Sequence, residues 1–428
     1  MKHNWKPLWL ILTIVLFLVA CQEIDTTSSP TLEAVTNTPT LSTSTPLPPS
    51  STPTPSPTPI TPTLAPPTPT QPPPERLMFL SGFTLYSINS DGSDLRETNL
   101  LEPYMQIEQA ATYLALSPDG RYLAFDGVSQ VQPCGLENTD CFLSNYGIFV
   151  ADLSQETVIG PTGSFETNPS WAPNSQQFVV PLRVNLTEAT ADNPFSANLF
   201  ILKVENSTLI EVNRLTENLS LDIYPSWSPD GQWIAFLRYV RRAHPKWPHG
   251  CERIFSSPEC HKADLYLVRP DGSELKLLKN DVYVDEGLYH APLWSPNSQS
   301  LIVRTGEGGE KIVLLDLTAG KEEILFEDTT VYVNYISWSP DNEHIVFSAY
   351  RGISSDIYMV SVETQDMQKL QLREGGNILP TWSPNGQWIA FISGKGFAEL
   401  TVMYRDGTKI KMLSGLDKSR PPIWIQDN

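Results

Sequence analysis

The sequence predicts an all-β protein: a seven-bladed β-propeller of four-stranded antiparallel blades, closed by pairing of its N- and C-terminal strands and preceded by a disordered tether. Three observations lead to this prediction. The motif WSPDGQWIAF recurs along the chain, and the two ends of the folded region each supply only part of one repeat. The later copies follow each other at a period of about 40 residues, which is typical of propeller repeats. The copies begin at Leu116, Trp171, Trp227, Trp294, Trp338 and Trp382, with a truncated copy at Trp424.

Each copy of the motif has the residues of a strand, a tight turn and a second strand. Pro229 presets φ at the second turn position, Asp230 bonds the local backbone, and Gly231 accepts a left-handed conformation. The run from Trp233 to Phe236 is apolar and aromatic-rich, as expected of a strand that is buried on both faces. Core packing and turn geometry therefore explain these Trp and Asp residues without a catalytic role.

Residues 1–20 are expected to be a lipoprotein signal peptide. The apolar stretch from Leu8 to Ala20 follows two lysines, and it is shorter than the roughly 20 residues that a membrane-spanning helix needs. The sequence LVAC that ends at Cys21 resembles the bacterial lipobox, in which the cysteine is acylated and becomes the N-terminus after cleavage. This resemblance implies lipidation of Cys21 and stable membrane anchoring. The alternative is an ordinary signal peptide followed by an unrelated cysteine.

Residues 21–75 are rich in Pro, Thr and Ser and contain no aromatic residue. Such a segment has nothing to bury and favours an extended polyproline II conformation. At about 3.1 Å per residue, the 49 residues from Thr26 to Pro74 have an extended length on the order of 150 Å as an upper bound. We therefore expect a disordered tether that sets distance from the membrane. Its Thr-Pro repeats also suit glycan attachment, which stays an open alternative.

Residues 76–428 form the predicted propeller. The segment from Leu77 to Thr98 supplies strands two to four of a repeat, and the segment from Arg420 to Asn428 supplies a first strand. Together they complete one blade, and closure of this kind removes exposed sheet edges. Asp-Gly turns join third and fourth strands as hairpins, and they lie at Asp91, Asp271 and Asp406.

These repeats resemble the TolB-like propeller family (PD40, WD40-like repeats), whose hallmark is PxWSPDGxxIAF followed by an IYxxxxDG hairpin. The matching segments here are PSWSPDGQWIAF from Pro225 and LYLVRPDGSE from Leu265. The resemblance covers about 350 residues and strongly implies the fold. It implies much less about function, because function belongs to sites that are grafted on folds.

The loops between strands two and three, and between strand four and the next first strand, project from one face of a propeller. Long insertions on these loops follow the second strands that begin near Tyr122 and Trp233. Aromatic and charged groups on loops held by a rigid scaffold suit a recognition surface, although a charged loop is often simply solvated. The candidate ligand-face residues are Tyr104, Tyr224, Arg238, Arg241, Arg242, Trp247, Tyr283, Tyr289, His290, Tyr332 and Tyr335.

Two close pairs of cysteines remain once Cys21 is set aside. Outside the cytoplasm, such pairs predict two local disulfides. Three histidines near the second pair raise zinc as an alternative, but the cysteine spacing differs from CxxC and the compartment favours oxidation. No metal or other cofactor is therefore predicted. The predicted disulfides are Cys134–Cys141 and Cys251–Cys260, and the nearby histidines are His244, His249 and His261.

The favoured function is a monomeric, lipid-anchored module of the bacterial cell envelope that binds a protein, peptide or glycan without catalysis. The folded part is acidic, within a net charge of −19 for the whole chain, so no nucleic-acid partner is expected. No GxSxG, HExxH or P-loop signature is present, and the few residues after Arg420 lead us to expect no hydrolase domain behind the propeller. The alternative is an envelope polysaccharide lyase or hydrolase that uses His, Tyr and Arg groups, with His244, His249, His261 or His290 as acid or base.

Overall fold

The structure is a computed structural model that describes residues 75–105, 114–133, 142–162, 168–183, 196–218, 220–239, 262–284, 291–352, 354–370, 376–394, 399–414 and 420–425. The predicted signal peptide and nearly all of the predicted tether precede these ranges. Apart from a 3₁₀ turn at Glu102–Tyr104, the regular structure of the described chain is all strand, which confirms the all-β prediction. None of the described segments forms a helix long and apolar enough to cross a membrane.

The strands of the described ranges are numbered in chain order. The first half contains β1 (Arg76–Ser81), β2 (Thr84–Asn89), β3 (Arg96–Thr98), β4 (Leu114–Leu116), β5 (Tyr122–Pro133), β6 (Phe142–Asp152), β7 (Thr157–Thr162), β8 (Ser170–Trp171), β9 (Gln177–Arg183), β10 (Ala197–Glu205), β11 (Thr208–Arg214), β12 (Leu221–Trp227), β13 (Ile234–Tyr239) and β14 (Lys262–Val268). The second half contains β15 (Lys276–Tyr283), β16 (Leu293–Trp294), β17 (Ser300–Thr305), β18 (Lys311–Asp316), β19 (Lys321–Glu327), β20 (Tyr332–Trp338), β21 (His344–Arg351), β22 (Ser354–Ser361), β23 (Met367–Lys369), β24 (Gly376–Trp382), β25 (Trp388–Gly394), β26 (Glu399–Tyr404), β27 (Lys411–Ser414) and β28 (Ile423–Ile425).

These strands form hydrogen-bonded sheets of four or eight strands. Each eight-stranded sheet consists of two antiparallel groups of four, which are connected by one parallel pair, Ala197 with Leu221 or Ser355 with Gly376. The described strands therefore divide into antiparallel groups of four. We call these groups unit 1 (β28 with β1–β3), unit 2 (β4–β7), unit 3 (β8–β11), unit 4 (β12–β15), unit 5 (β16–β19), unit 6 (β20–β23) and unit 7 (β24–β27).

Unit 1 takes its strands from both ends of the folded region. The last strand, β28, pairs with β1 in antiparallel register, with Leu77 opposite Trp424 and Met78 opposite Ile423. The opposite edge of β1 pairs with β2. The first strand that the N-terminal segment lacks is thus supplied by residues near the C-terminus, as the sequence predicts.

The Ser-Pro-Asp-Gly turns have the predicted hydrogen bonds. In unit 4, the Gly231 N–H donates to the Ser228 carbonyl at 2.9 Å, and Gly231 has φ of +74°. The Asp230 carboxylate accepts from the Ser228 hydroxyl at 2.6 Å and from the Gln232 N–H at 3.0 Å. The Asp230 carboxylate thus gives a backbone N–H of the turn its hydrogen-bond partner, and this role accounts for an aspartate at this position.

The core lies between neighbouring units. Ile234, Ala235 and Phe236 of β13 are each 0% exposed, and their side chains alternate between the two faces of the strand. Ile234 and Phe236 pack towards unit 3, while Ala235 packs towards unit 5. Each hydrophobic cluster of the described ranges consists mainly of residues from two neighbouring units. Trp424 of unit 1 packs with unit 7, and Met78 of unit 1 packs with unit 2.

A tryptophan at the end of the first strand connects each of several units to the unit before it. The Trp171 indole N–H donates to the Ala115 carbonyl of unit 2 at 2.8 Å, and Ala115 directly precedes the motif residue Leu116. The repeat thus supplies both an apolar ring and a donor to the same contact. Equivalent bonds run from Trp294 to Ser226 at 2.9 Å, from Trp338 to Leu293 at 3.4 Å and from Trp424 to Thr381 at 3.1 Å.

Replacing Trp424 with Ala is expected to lower the free energy of unfolding by about 3–5 kcal/mol, because a buried aromatic side chain is lost. Trp424 is 7% exposed. Denaturant unfolding followed by far-ultraviolet circular dichroism measures the change. The matched control is Met412→Ala at a side chain that is 47% exposed, for which we expect a change within about 0.5 kcal/mol. Equal effects of the two substitutions would contradict this account of unit 1.

The aspartates of the Asp-Gly hairpins are held as carboxylates. A hydrogen bond from the Ser93 hydroxyl lowers the pKa of Asp91 below its ordinary 3.8. In the same way, the Ser273 hydroxyl lowers the pKa of Asp271, and the Thr408 hydroxyl lowers the pKa of Asp406. A carboxyl group whose pKa is lower in the folded state than in the unfolded state stabilises the fold. This stabilisation is fully present above the unfolded-state pKa and is lost as the pH falls through the folded-state pKa.

Replacing Asp91, Asp271 and Asp406 together with Asn is expected to flatten the pH dependence of stability below about pH 4, since the amide oxygen still accepts these bonds but does not titrate. The measurement is the difference between urea midpoints at pH 3 and pH 7. This difference should be smaller in the triple variant than in the unchanged protein. An unchanged difference would show that the three carboxylates contribute nothing to acid sensitivity.

Candidate functional site

A cavity of about 160 Å³ lies where first strands of several units converge. Asn168, Ala291 and Tyr335 each stand three residues before the tryptophan of their unit. The cavity therefore brings together equivalent positions of units 3, 5 and 6. The other residues that line it are Val282, Tyr283, Leu293, Ile302, Val303, Arg304 and Ile336.

The cavity lies at the end of the units that the sequence predicts to carry the ligand face. Tyr283 is the last residue of the fourth strand β15, and Arg304 is the second-to-last residue of the second strand β17. The chain leaves these strand ends for the loops between strands four and one and between strands two and three. The Ser-Pro-Asp turns lie at the opposite strand ends.

Arg304 is the charged residue of the cavity lining, and its guanidinium is oriented by its neighbours. It is 6% exposed. Its Nη1 donates to the Val333 carbonyl at 2.6 Å and to the Tyr332 hydroxyl at 3.3 Å. The guanidinium carbon lies 5.3 Å from the centroid of the Tyr283 ring and 5.6 Å from that of the Tyr332 ring, within the range of cation–π attraction. These contacts fix the planar fork, which is the feature that distinguishes Arg from Lys in recognition.

Gly309 makes room for the ring of Tyr283. Gly309 has φ of +72°, and a Cβ added there would lie 2.6 Å from the ring. Only glycine avoids both the backbone strain and this clash. The turn between β17 and β18 therefore helps to set the position of Tyr283 in the cavity wall.

Tyr335 occupies a bulge in the first strand of unit 6. The pairing of β20 with β21 shifts between Asn334 and Ile336, and Tyr335 has φ of +43°. Tyr224 and Leu379 adopt the same left-handed conformation at the same place in units 4 and 7. Bulky residues rarely adopt this conformation, so the surrounding packing must hold them there. Burial raises the pKa of Tyr335 to about 12, which keeps the phenol neutral at physiological pH.

Two other predicted ligand-face tyrosines take part in packing between units. The Tyr104 ring lies 5.0 Å from the Phe149 ring and 6.4 Å from the Phe125 ring, measured between centroids. Tyr224 is 8% exposed and belongs to the cluster that joins units 4 and 5. Neither residue is among those that line the cavity.

Arg238 forms an ion pair inside unit 4. Its Nε and Nη2 atoms donate to the two carboxylate oxygens of Asp222 at 2.6 and 2.9 Å, and Asp222 is 0% exposed. Burial alone would lower the pKa of Arg238, but the hydrogen bonds to Asp222 raise it. The Tyr266 ring covers the guanidinium, with its centroid 4.6 Å away. A bidentate pair of this kind orients the side chain towards unit 4 itself.

The remaining predicted site residues lie outside the described ranges, and their roles stay predictions. The ligand-face residues among them are Arg241, Arg242, Trp247, Tyr289 and His290. The other predicted residues are Cys21, Cys134, Cys141, Cys251, Cys260, His244, His249 and His261.

Sequence reasoning did not single out Arg304 or Asn168. Arg304 interrupts the apolar strand SLIVRT, and a charge within a strand that is otherwise buried is a signal that can be read from sequence. Asn168 carried no such signal. Its place in the cavity follows from the convergence of first strands that are far apart in sequence.

One group of possible metal ligands is present in the described ranges. Ligand atoms of Asp341, Glu343 and His344 all lie within 4.8 Å of one another. The Asp341 carboxylate already accepts from the Glu343 N–H at 3.0 Å and pairs with Arg405 at 3.3 Å. Turn geometry and this ion pair account for the group, because exposed acidic residues need no ion to be stable.

Repeated antiparallel groups of four strands, joined face to face by apolar clusters, define the chain as a protein of the β-propeller class. Residues 244–428 match the family model described as PD40: TolB beta propeller domain. This part of the chain is therefore similar to the TolB-like PD40 propellers.

Two curated proteins are similar to parts of this chain. The uncharacterized peptidase YuxL of Bacillus subtilis is 27% identical over 227 residues, which are 53% of this chain and 29% of YuxL. The Tol-Pal system protein TolB of Francisella tularensis subsp. holarctica is 27% identical over 120 residues, which are 28% of this chain and 27% of TolB. The matched parts therefore span less than a third of either relative.

A similar solved structure comes from a study titled as a structural and mechanistic analysis of two prolyl endopeptidases. It has a TM-score of 0.54 and 15% sequence identity, and the match covers 81% of this chain and 50% of that one. At this identity the likeness concerns the fold alone.

Replacing Asp222 with Asn is expected to lower the free energy of unfolding by about 3–5 kcal/mol, because the buried Arg238 charge loses its carboxylate. The double variant Asp222→Leu with Arg238→Met should be closer to the unchanged protein, since neither charge then stays buried. Urea unfolding of both variants measures the difference. A single variant as stable as the unchanged protein would contradict a structural role for Arg238.

Proposed function

We propose that units 1–7 form a closed, seven-bladed propeller in which unit 1 is the blade that both chain ends complete. Apolar clusters that join unit 7 to unit 1 and unit 1 to unit 2 support this closure. A polar contact between units 7 and 1 supports it as well, since the Asn385 N–H in a unit 7 turn donates to the Glu75 carboxylate at 2.9 Å. Closure leaves no inner sheet face exposed.

The proposed function of this propeller is non-catalytic binding of a protein or peptide at the loop-bearing face, with a glycan as the broader alternative ligand. The observation that carries the proposal is the cavity lined by Arg304, whose guanidinium lies close to the rings of Tyr283 and Tyr332. Arg and Tyr are the residue types that dominate binding energy in protein interfaces when they are fixed and partly desolvated. Their rigid placement lowers the entropy that a ligand must lose on binding.

The size of the cavity favours an anchoring side chain over a whole small ligand. Its volume is about 160 Å³, close to the roughly 150 Å³ that accommodates a benzene-sized molecule. Sites for drug-sized ligands are typically about 300–1,000 Å³. One side chain of a partner protein fits this range, and the surrounding loops would contact the rest of the partner.

The proposal places the propeller outside the cytoplasm, anchored through a lipid on Cys21 and held at a distance by residues 21–75. Its support is the sequence pattern of the first 75 residues. The predicted disulfides, Cys134–Cys141 and Cys251–Cys260, follow from this location, because they form in an oxidising compartment. One relative is named as a protein of the Tol-Pal system, which is compatible with a protein partner for this chain.

A hydrolase or lyase is the second candidate function. One relative is named as a peptidase, and prolyl endopeptidases share the fold. The acid and base would have to come from the loop histidines, such as His290. Turnover of peptide or acidic polysaccharide substrates that is abolished by His290→Ala would favour this candidate over binding alone.

The binding proposal is tested with peptides selected from a random library displayed on phage and then measured with the full chain by fluorescence anisotropy. Replacing Arg304 with Met is expected to weaken the selected peptides at least about tenfold, or roughly 1.4 kcal/mol. Replacing Arg304 with Lys should also weaken them, because an ammonium lacks the planar fork. Gly309→Ala should weaken them too, because the added methyl group displaces the ring of Tyr283 while Arg304 itself is unchanged.

The matched control for these variants is Ile324→Ser, at a side chain on the outer strand of unit 5 that is 50% exposed. We expect this variant to bind like the unchanged protein. Melting temperatures of all variants separate loss of binding from loss of fold. Selected peptides that are insensitive to Arg304 and Gly309 substitutions would overturn the choice of site.

A further inference from the structure

The contact between units 1 and 2 differs from every other contact between consecutive units in the described ranges. Each of the other hydrophobic clusters contains the tryptophan that ends a first strand. The cluster between units 1 and 2 contains none, because Leu116 stands at the tryptophan position of unit 2. The tryptophans of the other contacts are Trp171, Trp227, Trp294, Trp338, Trp382 and Trp424.

A groove of about 340 Å³ lies at this contact. Apolar side chains from both units line it, among them Met78 and Leu85 of unit 1 and Leu153 of unit 2. Gly120 of the Ser-Pro-Asp-Gly turn also lines it. The groove is therefore near the turn ends of the strands and apart from the cavity around Arg304.

The strand register places this groove where a tryptophan of unit 2 would lie. In the next contact, Trp171 packs with Ala124 and Val150 of unit 2, which pair with each other across β5 and β6. Ala124 also pairs with the residue before Leu116. In unit 1, Met78 pairs with the residue before Trp424 and, on its other side, with Ser87.

Met78 and Ser87 are thus the counterparts of Ala124 and Val150, and both line the groove. The groove has about twice the volume of the roughly 150 Å³ cavity that takes a benzene-sized ring. Its apolar wall therefore has room for an aromatic side chain that the chain itself does not supply at Leu116.

We propose that this groove is a second binding site, which takes an aromatic side chain, tryptophan above all, from an extended peptide of a protein partner. Ile423, the residue before Trp424, is the counterpart in unit 1 of Ala115 in unit 2. The Ala115 carbonyl accepts the hydrogen bond from the Trp171 indole N–H, so the Ile423 carbonyl is the equivalent acceptor. An incoming indole can donate there in the same way.

The charge around the groove selects the flanking residues of that peptide. Glu97 and Glu156 line the groove and are exposed, and the whole chain carries a net charge of −19. The guanidinium of Arg96, which also lines the groove, pairs with Asp94 at 2.7 Å. Basic residues beside the aromatic ring complement this rim. This site goes beyond the binding proposed for the loop-bearing face and does not depend on it.

The test uses the full chain labelled with carbon-13 at its methionine methyl groups and the blocked peptide acetyl-Lys-Trp-Lys-amide as the probe. We expect the methyl signal of Met78 to shift on titration, while the signal of the exposed Met412 in unit 7 stays in place. Acetyl-Lys-Leu-Lys-amide should bind at least about tenfold more weakly, because it buries less apolar area. An unshifted Met78 signal at millimolar peptide would overturn the proposal.

Filling the groove from within gives the decisive variant. Leu116→Trp restores the repeat and is expected to abolish the Met78 shift while keeping or raising the melting temperature, whereas Leu116→Met should keep the shift. If Leu116→Trp fails to fold, Leu100→Glu replaces it, since Leu100 lines the groove and is only half-buried. Binding that persists in the folded groove variants would place the peptide elsewhere and refute the site. Arg304→Met should leave the Met78 shift unchanged, which separates this test from that of the loop-bearing face.

Discussion

The structure depends on the contact between the tryptophan of one first strand and the unit that precedes it. Each second strand is apolar on both faces, so a single sheet of four strands cannot bury its own core. The tryptophan fills the space between two sheets. In units 1, 3, 5 and 6 its indole N–H also bonds the preceding unit, as Trp294 does with the Ser226 carbonyl at 2.9 Å. This requirement applies to unit 1 as well, which explains why β28 and its Trp424 must come from the other end of the chain.

The proposed recognition site around Arg304 depends on side chains that this packing holds rigid. Tyr335 holds a left-handed backbone conformation that costs free energy, and the guanidinium of Arg304 is fixed by the Val333 carbonyl and the Tyr332 hydroxyl. A surface whose side chains are ordered before binding loses little entropy when a ligand arrives. The contact between units 1 and 2 lacks the tryptophan ring that the other contacts have, because Leu116 stands at that position. The proposed second site follows from this difference.

Much of the fold can be predicted from short segments of the sequence. Pro229, Asp230 and Gly231 predict the turn because turn chemistry acts over four residues, and the recurring tryptophans predict the repeat. The incomplete ends predicted the pairing of β1 with β28 because the strand order within a repeat is fixed. To predict these features, only the chemistry of neighbouring residues and the number of repeats are needed.

The site was less accessible to such reasoning, because it depends on packing between residues far apart in the chain. Tyr104 and Arg238 were chosen for their chemistry, but their partners Phe149 and Asp222 are identified only in three dimensions. Arg304 was overlooked although its charge in an apolar strand was visible. Its importance comes from Tyr283, which Gly309 admits to the cavity wall.

Hydrogen–deuterium exchange of the full chain tests most directly whether β28 is an integral strand of unit 1. The hydrogen-bonded amides of Ile423–Ile425 are predicted to exchange as slowly as those of the buried second strand β25, because both open only with the whole fold. Rapid exchange of Ile423–Ile425 alongside full protection of β25 would contradict the account.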